Sequence, residues 1–239
     1  MPDSGTHRPA DFARRSFVTR KLIEAGAIFG ELDGAAVALD FGAPQSEIAG
    51  AARMGLADLS PLPRTGFKGK GTVAWLAGQG IRVPDRSNRA EPQADGALAA
   101  RLAPEELLVL GDVRGAGGGG AGGLPARLEA AWAGETVPPE PARGFPVPRA
   151  DSHAWFLVSG GQSAAMFAKI CGIDLRPDRF AQGWVAQTSV ARLSAIVIRA
   201  DLGAVLAYHL LADSASAEYL WDCVQDAMTE FEGAVIGLS

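Results

Sequence analysis

Cysteine is nearly missing from these 239 residues, and so is any pattern that would let it hold a metal. Cys171 and Cys223 lie 52 positions apart, no CxxC occurs, and His7, His153 and His209 fall at no metal-ligand spacing. A disulfide framework and a zinc site are excluded, and two buried thiols in a reducing compartment are expected. Lysine is scarce too: Lys21, Lys68, Lys70 and Lys169 are the only ones among 22 basic residues. Against 27 acidic residues these leave a net charge of −5, which argues against a protein that binds nucleic acid or an anionic membrane through a cationic face. No uncharged apolar run reaches 18 residues, and the opening MPDSGTHRPADFARR leads into no apolar stretch of signal-peptide kind. The sequence therefore reads as a soluble, cytoplasmic protein. With 48% hydrophobic and 21% charged residues it is not disordered. A chain of this length buries roughly 70–75% of its unfolded surface, enough for a core without staples.

Glycine and proline are plentiful and uneven, and they divide the chain. Residues 1–20 are polar and Arg-rich and read as a loosely held, flexible arm. An N-terminal α+β lobe is expected over 21–110, with a connector at Pro84–Gln93 (PDRSNRAEPQ). The run GAGGGGAGG (Gly115–Gly123) cannot pack a core, and TVPPEPARGFPVPRA (Thr136–Ala150) is extended and proline-rich. With a short helix expected at Leu124–Gly134, residues 111–150 read as a mobile excursion before a C-terminal α+β lobe at 151–239.

The C-terminal lobe carries the clearest periodicity. Trp155–Val158 reads as a buried strand, and Gly160-Gly161 open a helix bearing Met166, Phe167, Ile170 and Cys171. Gly172 stands where a left-handed helix end belongs. Trp184–Val190 and Leu193–Arg199 alternate as strands, and Asp201-Leu202-Gly203 turns into a further strand, Val205–Leu211. Asp213 or Ser214 caps a last helix whose stripe is Tyr219, Leu220, Cys223, Val224, Ala227, Met228 and Phe231. The N-terminal lobe repeats the plan loosely. Gly66–Gly71 lead into a helix with Val73, Trp75 and Leu76 that ends at Gly80, and a strand, Leu107–Leu110, follows. Two copies of a strand–Gly–helix–Gly–strand unit point to mixed α+β layers with antiparallel pairing.

Catalytic motifs fail on inspection. Gly69-Lys70-Gly71-Thr72 is not a phosphate loop, because Gly71 follows Lys70 and position 65 is Thr65; a turn before a helix explains these glycines. No GxSxG occurs. His153 stands at the mouth of a strand, as suited to a structural hydrogen bond as to base catalysis, and His209 within an apolar strand reads as a satisfied core or interface imidazole. One polar cluster stands out. Asp174, Arg176, Asp178 and Arg179 alternate in sign past a helix end, and Gln187, Thr188, Ser189 and Arg192 follow. It is open to three readings: a structural ion-pair network, a subunit interface, or a small-molecule site.

Two long strings, CGIDLRPDRFAQGWVAQTSVARLSAIVIRAD (Cys171–Asp201) and YHLLADSASAEYLWDCVQDAMTEF (Tyr208–Phe231), carry a resemblance to a known family. They resemble the gamma subunit of heterotetrameric sarcosine oxidase and the matching small subunit of N-methylglutamate dehydrogenase. ARMGLADLSPLPRTGFKGKGTVAWLAGQGI (Ala52–Ile81) resembles the opening of that family and of the folate-binding aminomethyltransferases. The resemblance implies an α+β, two-lobed aminomethyltransferase (folate-binding)-like fold, with mixed, largely antiparallel sheets flanked by helices and without the third, barrel-like domain.

It implies also a noncatalytic role in a heteromeric flavoenzyme that oxidises an N-methyl amino acid to an imine. The large partner subunits would carry FAD, FMN, NAD and the tetrahydrofolate site, a very small subunit would bind zinc, and this chain would carry no cofactor. Asp174, Arg176, Arg179, Trp184, Gln187, Thr188 and Arg192 are the candidate contacts to a large subunit, with Trp155 and Trp221 as further core or interface anchors. Two alternatives compete. A stand-alone tetrahydrofolate-dependent aminomethyl or methyl transferase would need an acidic residue after a glycine–apolar strand. The corresponding stretch places Asp85 behind Pro84 in a polar connector, a poor scaffold for a general base. An accessory protein of metal–sulfur cluster maturation would need an exposed reactive cysteine.

Overall fold

The computed structural model describes residues 7–113, 123–134 and 142–238. Its first half runs α1 (Thr19–Glu24), β1 (Ile28–Leu32), β2 (Ala35–Asp40), α2 (Pro44–Arg53), β3 (Gly55–Asp58), β4 (Arg64–Lys68), α3 (Thr72–Gly78), β5 (Arg89–Pro92), β6 (Leu98–Ala103) and β7 (Glu106–Leu110). Then come α4 (Gly123–Gly134), β8 (Phe145–Pro146), β9 (His153–Ser159), α5 (Ser163–Ile170), β10 (Val185–Val190), β11 (Leu193–Arg199), β12 (Ala207–Asp213), α6 (Ala217–Met228) and β13 (Ala234–Val235). The chain divides into two compact units. A terminal unit gathers the described residues up to Pro61 with Ser152–Gln182 and those from Ala186 on; a middle unit is Leu62–Asp151 with Gly183–Val185.

The terminal unit is built on a six-stranded sheet, ordered β10-β11-β12-β9-β3-β13. Neighbours from β11 to β3 are antiparallel, and β13 lies parallel to β3. Strand β9 is buried at every position from Ala154 to Ser159, which is why it reads as an unbroken apolar run. Ala154, Phe156 and Val158 face the helices α5 and α6 with Tyr208, Leu210 and Val197, and Trp221 fills the centre of that core. Trp221 sits edge-on to Phe156 (5.2 Å, 73°), and Phe167 edge-on to Tyr208 (5.5 Å, 73°). The Asp213 side chain accepts from Ala215 N at 2.8 Å and caps the 3-10 turn that leads into α6.

The middle unit holds a five-stranded antiparallel sheet, β5-β6-β7-β4-β8. Phe67, Leu107 and Val109 on one face bury Leu76 of α3 and Leu124 and Leu128 of α4. Gly71 precedes α3 with φ +86°, and a Cβ there would meet the Ala142 carbonyl oxygen at 1.6 Å. Only glycine fits. Thr72 Oγ1 donates to Gly69 O at 2.7 Å, so Gly69–Thr72 is the turn into a helix expected of these glycines.

Several expectations change in the structure. Residues 21–61 were expected in an N-terminal lobe, but they fold with the C-terminal half because β3 inserts beside β9 (Leu56↔Val158) and carries Met54 and Leu56 into its core. The described part of the expected flexible arm, residues 7–20, is anchored: Val18 is fully buried, and Phe12 and Phe17 pack on the same core. Within the expected mobile excursion, α4 and β8 belong to the middle unit, and Val147 N donates to Gly66 O at 2.7 Å. Residues 114–122 and 135–141, with most of the glycine run and the first half of the proline-rich stretch, lie outside the described residues, as do 1–6. Gly172 is not left-handed; α5 ends at Cys171 in extended backbone (φ −133°). On α6 Tyr219 is half exposed and Cys223 half buried, while Trp221 takes the inward place.

Candidate functional site

The polar cluster singled out from the sequence does not close into one site. Asp174 forks onto its own neighbour: Arg176 Nε donates to Oδ1 at 2.9 Å and Arg176 Nη2 to Oδ2 at 2.6 Å, both side chains well exposed. The Arg176 hydrogen bonds hold the Asp174 carboxyl at about 2, and the same contact raises Arg176 above its ordinary value. Arg179 reaches Asp178 at only 3.6 Å, on the surface. Trp184 belongs to the middle unit, where the Arg89 guanidinium lies over its ring at 4.3 Å. Arg192 is exposed at the β10–β11 turn, whose two residues Ala191 and Arg192 both have positive φ (49° and 67°). That is a type I′ reversal without the usual Asn-Gly.

The ion pair that organises this region is one the sequence reading missed. Arg199 donates to both oxygens of Asp201 at 3.1 and 2.8 Å and to the carbonyls of Pro177 and Phe180 at 3.0 and 2.8 Å. Both side chains are largely buried, at 13% and 21% exposure. Arg199 thereby ties the Asp174–Phe180 loop to the end of β11. The available signal was the basic residue ending one strand with an acid two positions on, a spacing common to many turns.

Gln187 and Thr188, by contrast, enter a real depression. Together with His153, Ser194, Ala195, Ile196 and Leu211 they line an open pocket of about 380 Å³ within the terminal unit. Register explains the grouping. Ile196 pairs with Leu211, Leu211 with Trp155, and Asp213 with His153. Ala195, Val197, Leu210 and Ala212 face the helices, so Ser194, Ile196, Leu211 and His153 stand on the opposite face. Ala186 and Val190 likewise pack toward the helix side, which turns Gln187 the same way as Ser194. The floor is aliphatic and the rim uncharged. His153 Nδ1 lies 2.8 Å from Ser152 Oγ.

Several buried polar groups are hydrogen-bonded within their own unit. Trp155 Nε1 donates to His209 Nδ1 at 3.0 Å, which leaves the ring proton on Nε2. Burial pushes His209 down to about 4, so it is neutral: the satisfied imidazole expected of that strand. Ser60 Oγ accepts from Trp155 N at 3.1 Å, and Asp58 Oδ1 accepts from Ser60 N at 3.1 Å. In the middle unit Arg64, 3% exposed, donates to the carbonyls of Leu62, Arg149 and Ala150 at 3.0, 3.1 and 2.6 Å. The Ser60, Asp58 and Arg64 contacts fix backbone.

Among the described residues no group of three His, Cys, Asp or Glu side chains is placed to hold a metal, and no helix is long and apolar enough to cross a membrane. Asp85, the acid weighed in the sequence for a folate-dependent transfer, is 87% exposed and 4.0 Å from Arg86. That position does not fit a rigidly held acid.

No protein-family model and no curated protein matches the sequence. Solved structures do match. A chain of heterotetrameric sarcosine oxidase from Corynebacterium sp. U-96, in complex with pyrrole 2-carboxylate, aligns at 20% identity over 81% of this chain and 95% of that one, with a TM-score of 0.60. The glycine cleavage system aminomethyltransferase T from Bartonella henselae aligns at 15% identity with a TM-score of 0.69. This chain covers 60% of that protein, which in turn matches 94% of this one. With its two units of antiparallel sheet and flanking helices, the chain has the aminomethyltransferase-type, folate-binding-like fold of heterotetrameric sarcosine oxidase and aminomethyltransferase T.

Proposed function

We propose that this chain is a gamma-type, noncatalytic subunit of a cytoplasmic heteromeric flavoenzyme that oxidatively demethylates an N-methyl amino acid, sarcosine or N-methylglutamate. The observation that carries the reading is the match over 95% of a chain from a heterotetrameric sarcosine oxidase. Two features favour it over a stand-alone tetrahydrofolate-dependent transferase. Asp85, the candidate acid for such a reaction, is exposed, and the buried histidine is paired with Trp155 as a neutral structural group. Tetrahydrofolate, FAD, FMN and NAD then belong to the large partner subunits, and no step of the oxidation is routed through residues of this chain. Its contribution is surface: holding a flavin-bearing subunit in register, as an obligate interface of more than about 2,000 Å² does.

The test is purification of the tagged full chain from its own source under native conditions, with subunit masses and visible absorption as readouts. Recovery of a yellow complex with large flavin-containing subunits, bleached by sarcosine or N-methylglutamate, supports the proposal. A colourless, solitary chain overturns it. Tetrahydrofolate binding to that solitary chain would favour the transferase. Rapid modification of Cys171 or Cys223 in native protein would point to cluster maturation instead.

A further inference from the structure

Three arginines and a tryptophan gather at the β5 edge of the middle unit. Residues 183–185 run along that edge: Ala90 N donates to Gly183 O at 2.7 Å, and Val185 N to Asn88 O at 3.2 Å. These bonds flank the antiparallel pair Arg89↔Trp184, which is therefore a non-hydrogen-bonded pair, the kind whose side chains stand closest. That register sets the Arg89 guanidinium over the Trp184 ring, 4.3 Å from its centroid. On its other flank Arg89 pairs with Arg101 of β6, a like charge directly opposite. Arg101 is engaged elsewhere. It donates to the carbonyls of Pro84, Asp85 and Pro104 at 3.0, 2.9 and 2.8 Å, and so pins the connector that carries Arg86.

The Arg86 charge reaches Arg89. Burial first, and then Arg86, lower the Arg89 guanidinium from its ordinary value, and Asp85 offsets them only in part. Asp85 is 4.0 Å from Arg86 Nε, beyond hydrogen-bond reach. Among the described residues Arg86 makes no hydrogen bond, and Arg89 makes one, from Nη1 to Asn88 O at 2.7 Å. Arg199, by contrast, donates to both oxygens of Asp201 and to two carbonyls. Two guanidiniums thus stand together with most of their donors unused, a repulsion that an anion between them would relieve.

The exposure of the cluster says what should carry that anion. Arg86 is 69% exposed and Trp184 37%, so a free ion would remain in water, where salt screens it and exposed ion pairs are worth little. A protein surface that covers Trp184 excludes that water, and a carboxylate it brings then makes strong charge-assisted bonds to both arginines. Arginine and tryptophan are also the residue types that dominate interface energies. A nucleic-acid backbone would need a broader cationic face than this chain offers. By sequence, the middle unit's segments hold 11 basic and 10 acidic residues, a net of +1, and the terminal unit's 11 and 17, a net of −6.

We infer that Arg86, Arg89 and Trp184 form a docking point for the large subunit, receiving an Asp or Glu side chain of that partner between the two guanidiniums; this rests on the gamma-subunit reading above. It keeps Trp184 in the candidate interface and adds two arginines to it, whereas Asp174 and Arg176 satisfy one another.

The test uses the tagged full chain in its native complex. Arg86→Glu falls at an exposed position, so thermal melting of the free chain should stay at the wild-type value while recovery of the flavin-containing subunit falls about tenfold or more. Arg89→Glu should act in the same direction. Arg89→Lys should lower recovery less, because it keeps the charge and loses the flat fork. Arg127→Glu, the same charge change at an exposed position of α4, should leave recovery untouched. Phenylglyoxal should label Arg86 in the free chain and spare it in the complex. Suppose the wild type recovers the flavoprotein. If Arg86→Glu then recovers it equally, if Arg86 is labelled as fast in the complex as in the free chain, or if Arg127→Glu abolishes recovery as well, these arginines are not the docking point while the subunit reading stands. A rise in the free chain's melting temperature with inorganic phosphate, lost in Arg86→Glu, would make this a free-anion site and overturn the inference. If the wild type recovers none, both readings fall.

Discussion

Strand for strand, the order β10-β11-β12-β9 of the terminal unit repeats the order β5-β6-β7-β4 of the middle unit. In each, a first strand runs through a left-handed glycine, Gly160 (φ +99°) or Gly71 (φ +86°), into a short helix, α5 or α3. Three further strands follow, then a twelve-residue helix, α6 or α4. What fills the frames differs. The terminal core is rich in fully or nearly buried aromatics, with Phe156, Phe167, Phe180, Tyr208 and Trp221 in one cluster; the middle core has one, Phe67, with Trp75 and Trp132 partly buried against it. The charge differs too: the middle unit's segments carry 11 basic and 10 acidic residues, a net of +1 against −6. The topology thus depends on periodicity and a few glycines, and volume and charge are free to diverge once those are met.

That comparison can be broken first at the two cores. Trp221→Ala should cost about 3–5 kcal/mol in urea unfolding, and Leu128→Ala on the corresponding helix of the middle unit about 2–4 kcal/mol, since the larger aromatic leaves the larger void. An inverted ranking would mean that the aromatic cluster is not where the terminal unit keeps its stability. The next effect concerns a group with no counterpart in the middle unit, the buried His209. Its folded value of about 4 lies below the ordinary 6.5, so between those values the unfolded chain binds the extra proton. Stability is therefore full above about pH 6.5 and falls as pH drops toward 4, by on the order of 3 kcal/mol. Unfolding of wild type and His209→Gln at pH 7.5 and 4.5 should show the slope in the wild type and its flattening in the variant.

The frame itself is probed by its glycines. Gly71→Ala and Gly160→Ala should each cost about 1–3 kcal/mol, because both need positive φ and an added Cβ meets backbone, at 1.6 Å from Ala142 O and 2.3 Å from Arg53 C. Gly172→Ala, with open space around it and no positive φ, should change stability by no more than a few tenths of a kcal/mol. The smallest expected effect is at the exposed fork. Asp174→Asn should leave the melting temperature unchanged, and a clear drop would show that the loop depends on that fork as well as on Arg199.

Much of this frame is legible in the sequence. Strands β9, β11 and β12 and helices α5 and α6 follow from period-2 and period-3.6 apolar spacing, and the looser match of Gly66–Gly80 to Gly160–Gly172 announced the repeat. The Asp174–Arg176 pair was visible as alternating charge, but its closure on itself was not, since an Asp two residues from an Arg takes either a neighbour or a distant partner with equal ease. His153 and Gln187 are 34 positions apart, and Ser194 and Leu211 belong to different strands. They meet because the sheet order β10-β11-β12-β9, with the register from β11 through β12 to β9, brings them together. Asp33-Gly34, both left-handed between β1 and β2, is a hairpin signal that the sequence reading overlooked.

By itself, then, the sequence determined the local units: which stretches are strands or helices, and where the chain must turn. These rest on interactions a few residues long, and those are written in spacing and backbone preference. Only the tertiary structure decided that β3 joins the C-terminal sheet, that Arg199 organises the Asp174–Phe180 loop, and that neutral side chains from four strands share a pocket. Such contacts join residues dozens of positions apart through sheet order and register, and the free energy that selects one order over another is a property of the whole packed core.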